Sequence, residues 1–167
     1  MNGRLHVLLL GGSRGEPSRS GALLRAVERQ VAVRGASTCR WDIARRPLEP
    51  IVPGREPPQE AGALTTLAGA ADALVIVSPL YHNSYSGAVK DVLDHLRDVV
   101  RALLGIAVPR QVVTVDADYE LDGDHYRLVD PRIELRLSAL ADELLWLASR
   151  LRHADRKPAA RGRERVA

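Results

Sequence analysis

Hydroxyl and guanidinium groups crowd into one short stretch near the start of the chain, Gly12-Ser13-Arg14-Gly15-Glu16-Pro17-Ser18-Arg19-Ser20. Between a strand and a helix, such a stretch offers side-chain O–H groups, backbone N–H groups and a positive dipole end, which together make an anion cradle. Its spacing is neither the dinucleotide fingerprint nor the Walker loop, since it holds no Gly-Lys-Ser/Thr. The competing reading is a solvated turn, common in α/β folds. A second stretch, Ser78-Pro79-Leu80-Tyr81-His82-Asn83-Ser84-Tyr85-Ser86-Gly87-Ala88-Val89-Lys90, sets polar and aromatic groups between an apolar run and an amphipathic segment. If the run is a strand, this loop lies at the carboxyl edge of a sheet, where open α/β folds bind ligands.

Two other chemistries are set aside. Asp116 to Asp124 is acidic, but aligning Gly123 with the invariant glycine of a calcium loop puts Val129 where a bidentate glutamate is needed. These residues read instead as a solvated hairpin. The single cysteine, Cys39, excludes an internal disulfide or a thiolate metal cluster and reads as a small buried strand residue.

The elements that must position these stretches follow from the apolar pattern. Leu5 to Leu10 is a continuous run ending at Gly11-Gly12, a buried strand running into a tight turn. Leu23, Leu24, Val27 and Val31 share one helix face, capped by Ser18 or Ser20 and stopped at Gly35. Ser37 to Ile43 is a second strand, with Trp41 read as core. Pro47 to Pro58 holds five prolines and is a loop. A short helix over Ala61 to Gly69 leads to a third strand, Asp72 to Val77. Gly87 to Leu104 carries Val89, Val92, Leu93, Leu96, Val99, Val100, Leu103 and Leu104, a stripe broad enough to cover a sheet and meet another helix. Gln111 to Val115 is a final strand. Pro131 to Leu151 is a helix with a seam of Ile133, Leu137, Leu140, Leu144, Leu147 and Leu151, and Trp146 covers the core or a subunit contact. Alternating strands and helices imply a parallel doubly wound α/β sheet with helices on both faces.

The chain has 167 residues, enough for one core, and reads as a single domain over residues 1–151 with a basic, disordered tail from Arg152 to Ala167. That tail holds six basic and two acidic residues, which leaves the body at −1 of the +3 total. This is no footprint for nucleic acid. No apolar run has a membrane-spanning length, so the expected setting is the cytoplasm.

The two loops, Gly12-Ser13-Arg14 with Ser18-Arg19-Ser20 and Ser78 to Gly87 with Lys90, occur in the order found in one family. The chain resembles the NAD(P)H-dependent FMN reductases of the flavodoxin-like fold, and most nearly those that serve alkanesulfonate monooxygenases. Leu96 to Leu151 is also similar to that family's C-terminal part. The resemblance implies FMN, with NADPH or NADH as the electron source. It implies that Ser13, Arg14, Ser18 and Ser20 hold the FMN phosphate, and that Pro79, Leu80, Tyr81, His82 and Ser84 line the ribityl chain and ring. His82 is read as a contact or a surface histidine, not a base. Hydride would pass from nicotinamide to flavin N5 without an obligatory protein acid or base.

The chain departs from the family pattern where Val92-Leu93-Asp94 runs straight into His95-Leu96-Arg97-Asp98-Val99-Val100. A fourth strand, its Gly-Gly loop and part of a helix are missing, roughly thirty residues, the size of a β-α repeat. The expected sheet therefore has four strands, and His95 is a core, groove or interface residue. Three functions remain open: reduction of FMN for a partner monooxygenase, an FMN-retaining quinone or azo reductase, and a flavodoxin-fold scaffold with lost or weakened turnover. Self-association is expected through the helices at 87–104 and 131–151.

Overall fold

The computed structural model describes residues 3–50, 52, 54–56, 58–82, 84–102 and 106–155. Strand β1, His6–Gly11, is the axis of the molecule. It pairs in parallel with β2, Ser37–Asp42, on one side and β3, Ala73–Val77, on the other. Leu10 stands opposite Trp41 in one neighbour and Ile76 in the other. Val7, Leu8, Leu9 and Leu10 are all fully buried. Each contributes roughly 1.5–3 kcal/mol of burial, which explains why a continuous apolar run takes the central position.

Side chains alternate across β1 and so build two cores. Val7 and Leu9 meet Leu24, Val27 and Val31 of helix α1, Arg19–Val33, and Ile133, Leu137 and Ala141 of helix α4, Pro131–Asp155. Leu8 and Leu10 meet Trp41, Leu64 of helix α2, Gln59–Ala70, and Val89, Val92 and Leu96 of helix α3, Gly87–Ala102. The fold is therefore a parallel α/β sandwich with helices on both faces, as expected. Trp41 is core, and its indole N–H donates to the Arg46 carbonyl at 3.1 Å.

The fourth strand is a correction. The described sheet has three strands in the order β2-β1-β3, and Gln111 to Val115 pairs with none of them. Arg136 donates to the carbonyls of Gln111 and Val113, at 3.3 and 3.5 Å, where a ladder would have used such groups. Val113 and Val115 stay exposed. Val112 packs on the core shared by α1 and α4, so the segment is anchored to helices and not to β3.

Smaller differences follow local chemistry. The Ser78 to Gly87 loop contains a two-residue antiparallel ladder, β4, Leu80–Tyr81, with β5, Ser84–Tyr85. The acidic stretch is a hairpin of β6, Tyr119–Asp122, and β7, His125–Leu128, turning at Gly123 with φ 62°. Asp118 is its unsolvated member, buried and accepting the Val115 N–H at 2.7 Å. Helix α4 runs four residues past Leu151, because Arg152 reaches back to the Arg4 and Gly3 carbonyls and to Asp72. The tail thus begins inside a helix, and its residues 156–167 lie outside the described residues. So do Leu103, Leu104 and the helix stop at Gly105. His95 is half-buried and not part of either core, with its Nε2 2.9 Å from the Glu49 carbonyl in the proline-rich loop. Among the described residues, no helix is long and apolar enough to cross a membrane.

Candidate functional site

The two loops are stitched together at the carboxyl edge of the sheet. The Gly12 N–H donates to the Val77 carbonyl at 2.7 Å. Ser86 Oγ donates to the Gly12 carbonyl at 3.0 Å and accepts the Val89 N–H, while the Ser86 N–H donates to Ser78 Oγ. Ser86 is buried, so it both caps the start of α3 and clamps the first loop to the second. A Cβ on Gly12 would collide with Val89 Cγ2 and sit 2.8 Å from the Val77 carbonyl, so this approach requires glycine.

Ser18 is the cap of α1. Its backbone is extended, and its Oγ accepts the Gly21 N–H at 3.0 Å. Helix geometry leaves the N–H groups of Arg19 and Ser20 without intrahelical acceptors, which is the usual basis of anion binding at such an end. Ser13 Oγ closes a small turn with the N–H and carbonyl of Gly15. Arg14 is drawn off to Asp91 of α3 at 3.6 Å.

A cleft of about 780 Å³ opens between the outer edge of β3, the start of α1, α4 and the segment from Val108 to Asp116. Ser13, Ser18, Ser20, Pro79, Leu80 and Tyr81 are brought together on its wall. Arg14, His82 and Ser84 are not. His82 is an exposed turn residue with φ 50°, and Ser84 sits in the ladder opposite Tyr81. Two cations line the cleft instead: Arg110, paired with Glu143 of α4 at 3.0 Å, and Arg19 at the start of α1, with its guanidinium 4.8 Å from the Tyr126 ring centroid and 3.3 Å from Asp116.

Thr114, Asp116, Tyr119 and Tyr126 complete this end of the cleft. The Tyr119 and Thr114 hydroxyls share a hydrogen bond of 2.8 Å. Burial pushes the Tyr119 phenol up, against the downward pull of that bond, so it is protonated near neutral pH. These residues were hidden in the sequence because a hairpin over one hundred residues downstream folds onto α1, where Arg25 donates to the Tyr126 carbonyl at 2.8 Å. Only the spacing of two tyrosines around a turn hinted at a surface there.

The donors fit an FMN-like ligand. One end offers the Ser18 and Ser20 hydroxyls, an open helix N-terminus and Arg19, with Ser13 closing the turn beside them, the chemistry of a phosphate monoester. The other offers Pro79, Leu80 and Tyr81, with Leu80 and Tyr81 largely exposed as a platform. The volume lies within the range of cofactor sites.

Fold and site together define a flavodoxin-like α/β protein with a serine-lined helix N-terminus beside an aromatic loop. The sequence model of the family described as NADPH-dependent FMN reductase matches residues 5–115, and the chain belongs to that family. The FMN-dependent NADPH-azoreductase of Staphylococcus haemolyticus is 31% identical over 173 residues, covering 83% of this chain and 92% of the relative. The protein of that name from Staphylococcus aureus matches to the same extent. In fold, the chain is similar to FerB, a flavoenzyme NAD(P)H:(acceptor) oxidoreductase from Paracoccus denitrificans, with TM-score 0.62 at 14% identity over 88% of this chain and 98% of that one. It is also similar to an oxidoreductase from Corynebacterium diphtheriae, with TM-score 0.56 at 17% identity over 89% and 96%.

The azoreductase alignment bears on the gap. Since 83% of 167 residues is about 139, about 34 of the 173 aligned positions have no counterpart in this chain.

Proposed function

We propose that the cleft between α1, the β3 edge and the Leu80–Tyr85 loop holds FMN, and that the protein moves electrons from NAD(P)H through it to a small-molecule acceptor. The observation that carries this reading is the pair of loops locked by Ser86 and Gly12, which fixes a phosphate cradle and an aromatic platform on one cleft.

In this reading Ser13, Ser18, Ser20 and the α1 N-terminus hold the phosphate, with Arg19 in place of Arg14 as the nearest cation. Pro79, Leu80 and Tyr81 support the ring, while His82 and Ser84 keep the turn that presents them. Held there, FMN would supply two-electron redox chemistry between NAD(P)H and the acceptor. The residues bind, orient and exclude water, and no side chain need transfer a proton. NADPH and NADH are both candidate donors.

The acceptor divides two versions of the reading. Delivery of reduced flavin to a partner monooxygenase follows from the resemblance to alkanesulfonate-system reductases. Retention of FMN with reduction of a small acceptor is favoured by the azoreductase relatives. The protein is taken to work in the cytoplasm as a homo-oligomer joined through α3 and α4, with no nucleic-acid partner. The test is to titrate flavin-free protein with FMN and then follow NADPH oxidation at 340 nm with and without an azo dye. Micromolar binding with dye reduction supports the second version, and flavin leaving the protein during turnover supports the first. A protein that binds no FMN would be a scaffold.

A further inference from the structure

A second cleft, of about 680 Å³, lies on the far side of the phosphate loop and is walled by Glu16, Pro17, Ser18, Gly21, the end of β2 and the start of β7. Arg25, Arg40, Arg45 and Arg46 line it. Pro17, Ser18 and Tyr126 belong to both clefts, so an occupant of one lies beside an occupant of the other.

We infer that this second cleft takes the adenosine half of NADPH, with Arg25, Arg40 and Arg45 gripping the 2′-phosphate. The inference rests on the reading of the first cleft as the flavin site. Guanidinium forks suit a phosphate monoester. Arg25 is oriented in advance, because it donates to the Tyr126 carbonyl at 2.8 Å and its Nη1 lies against Gly21. Arg40 is 3.6 Å from Glu28, and Arg45 faces Glu16 as a long, solvated fork, with Nε and Nη2 each 3.4 Å from a carboxylate oxygen; a dianion can displace both partners. Two further carboxylates lie on the wall, Asp42, which accepts the Ala44 N–H at 3.2 Å, and Asp124, 3.2 Å from His125 Nδ1, so the four guanidiniums still outnumber the wall's three carboxylates. Arg46 is fixed over Trp41, 3.8 Å from the ring centroid, and bonded to Glu60 at 2.5 Å, so it adds a firm planar wall suited to a purine.

The test is calorimetric titration of flavin-free protein with adenosine 2′,5′-bisphosphate and with 5′-AMP. The wild type is expected to bind the bisphosphate at least about tenfold more tightly, as one well-made charge-assisted contact requires. The R40Q/R45Q double variant is expected to lose that preference while keeping the wild-type melting temperature, and in turnover to lose selectivity for NADPH over NADH. Equal affinity for the two nucleotides, or a preference that survives in the double variant, overturns the assignment. Inorganic sulfate binding as tightly as the bisphosphate overturns it too, since the cleft would then be a general anion site. Because neither nucleotide contains flavin, a protein that binds the bisphosphate but not FMN would sink the flavin reading alone.

Discussion

Arg19 and Asp116 face each other across the mouth of the first cleft, and both side chains are substantially solvated, 43% and 82% exposed. Such a pair is worth about 0–1 kcal/mol, so a phosphate arriving at the start of α1 competes with Asp116 on favourable terms. Replacing Asp116 with Asn should tighten FMN binding about threefold, and Arg19→Gln should weaken it about tenfold, both within the span of charge-assisted contacts. Quenching of FMN fluorescence measures both. If Arg14→Gln produced the larger loss, Arg14 would be the phosphate ligand despite its contact with Asp91. At Gly12 the constraint is steric. Gly12→Ala should cost about 1–3 kcal/mol by overpacking against Val89 and Val77, read by urea denaturation. That Ser13, Ser18 and Ser20 lie at the carboxyl edge of the sheet was legible in the sequence, because a hydroxyl-rich turn falls between the first apolar run and the first helix. The place of Arg19 on the cleft wall was not, because it depends on Asp116 and Tyr126, about one hundred residues downstream, folding onto the start of α1.

At the scale of elements, β1, α1, β2, α2 and β3 follow directly from apolar period and turn residues, and their bounds moved by only a residue or two. The sequence failed at Gln111 to Val115, where β-branched residues promised a strand. Local propensity was overridden by partners that no pattern records: Arg136 on two carbonyls, and Asp118 on the Val115 N–H. Helices α1 and α4 are tied by Arg34, which reaches the Asp142 carboxylate at 2.7 Å and Ser138 Oγ at 2.7 Å. The Arg34 hydrogen bond holds the Asp142 carboxyl below its usual range. A carboxylate depressed in the folded state stabilises at pH above its ordinary value and loses that contribution as pH falls through the lowered one. Asp142→Asn should therefore lower the melting temperature at neutral pH, and the difference from wild type should close as the solution is acidified. A constant difference across that range would place the effect elsewhere. Ser86 joins two elements at once, and Ser86→Ala should cost about 1–2 kcal/mol from the lost cap and buried bond, and loosen flavin with it.

For the whole molecule, the feature with the widest consequence is the open side of β3. A three-stranded sheet with helices on both faces remains intact because β1, which carries the two cores, is flanked on both sides. About 34 positions of the azoreductase relative have no counterpart here, a total close in number to the roughly thirty residues that the resemblance marked as missing. The length of that gap was legible because a β-α repeat has a characteristic size. The outcome at β3 was not, because Gln111 to Val115 leaves a cleft where a strand pairing had been expected. The phosphate end and the aromatic loop survive on one wall of that cleft, and Thr114, Tyr119 and Tyr126 from the hairpin side form the other. The central claim is that this altered cleft still holds FMN. Titration of flavin-free protein with FMN, followed by flavin fluorescence, tests it most directly. Saturable quenching with a Kd of about 10 µM or tighter is expected, weakened by Arg19→Gln; absence of saturation up to about 1 mM FMN would mean that the cleft does not hold FMN.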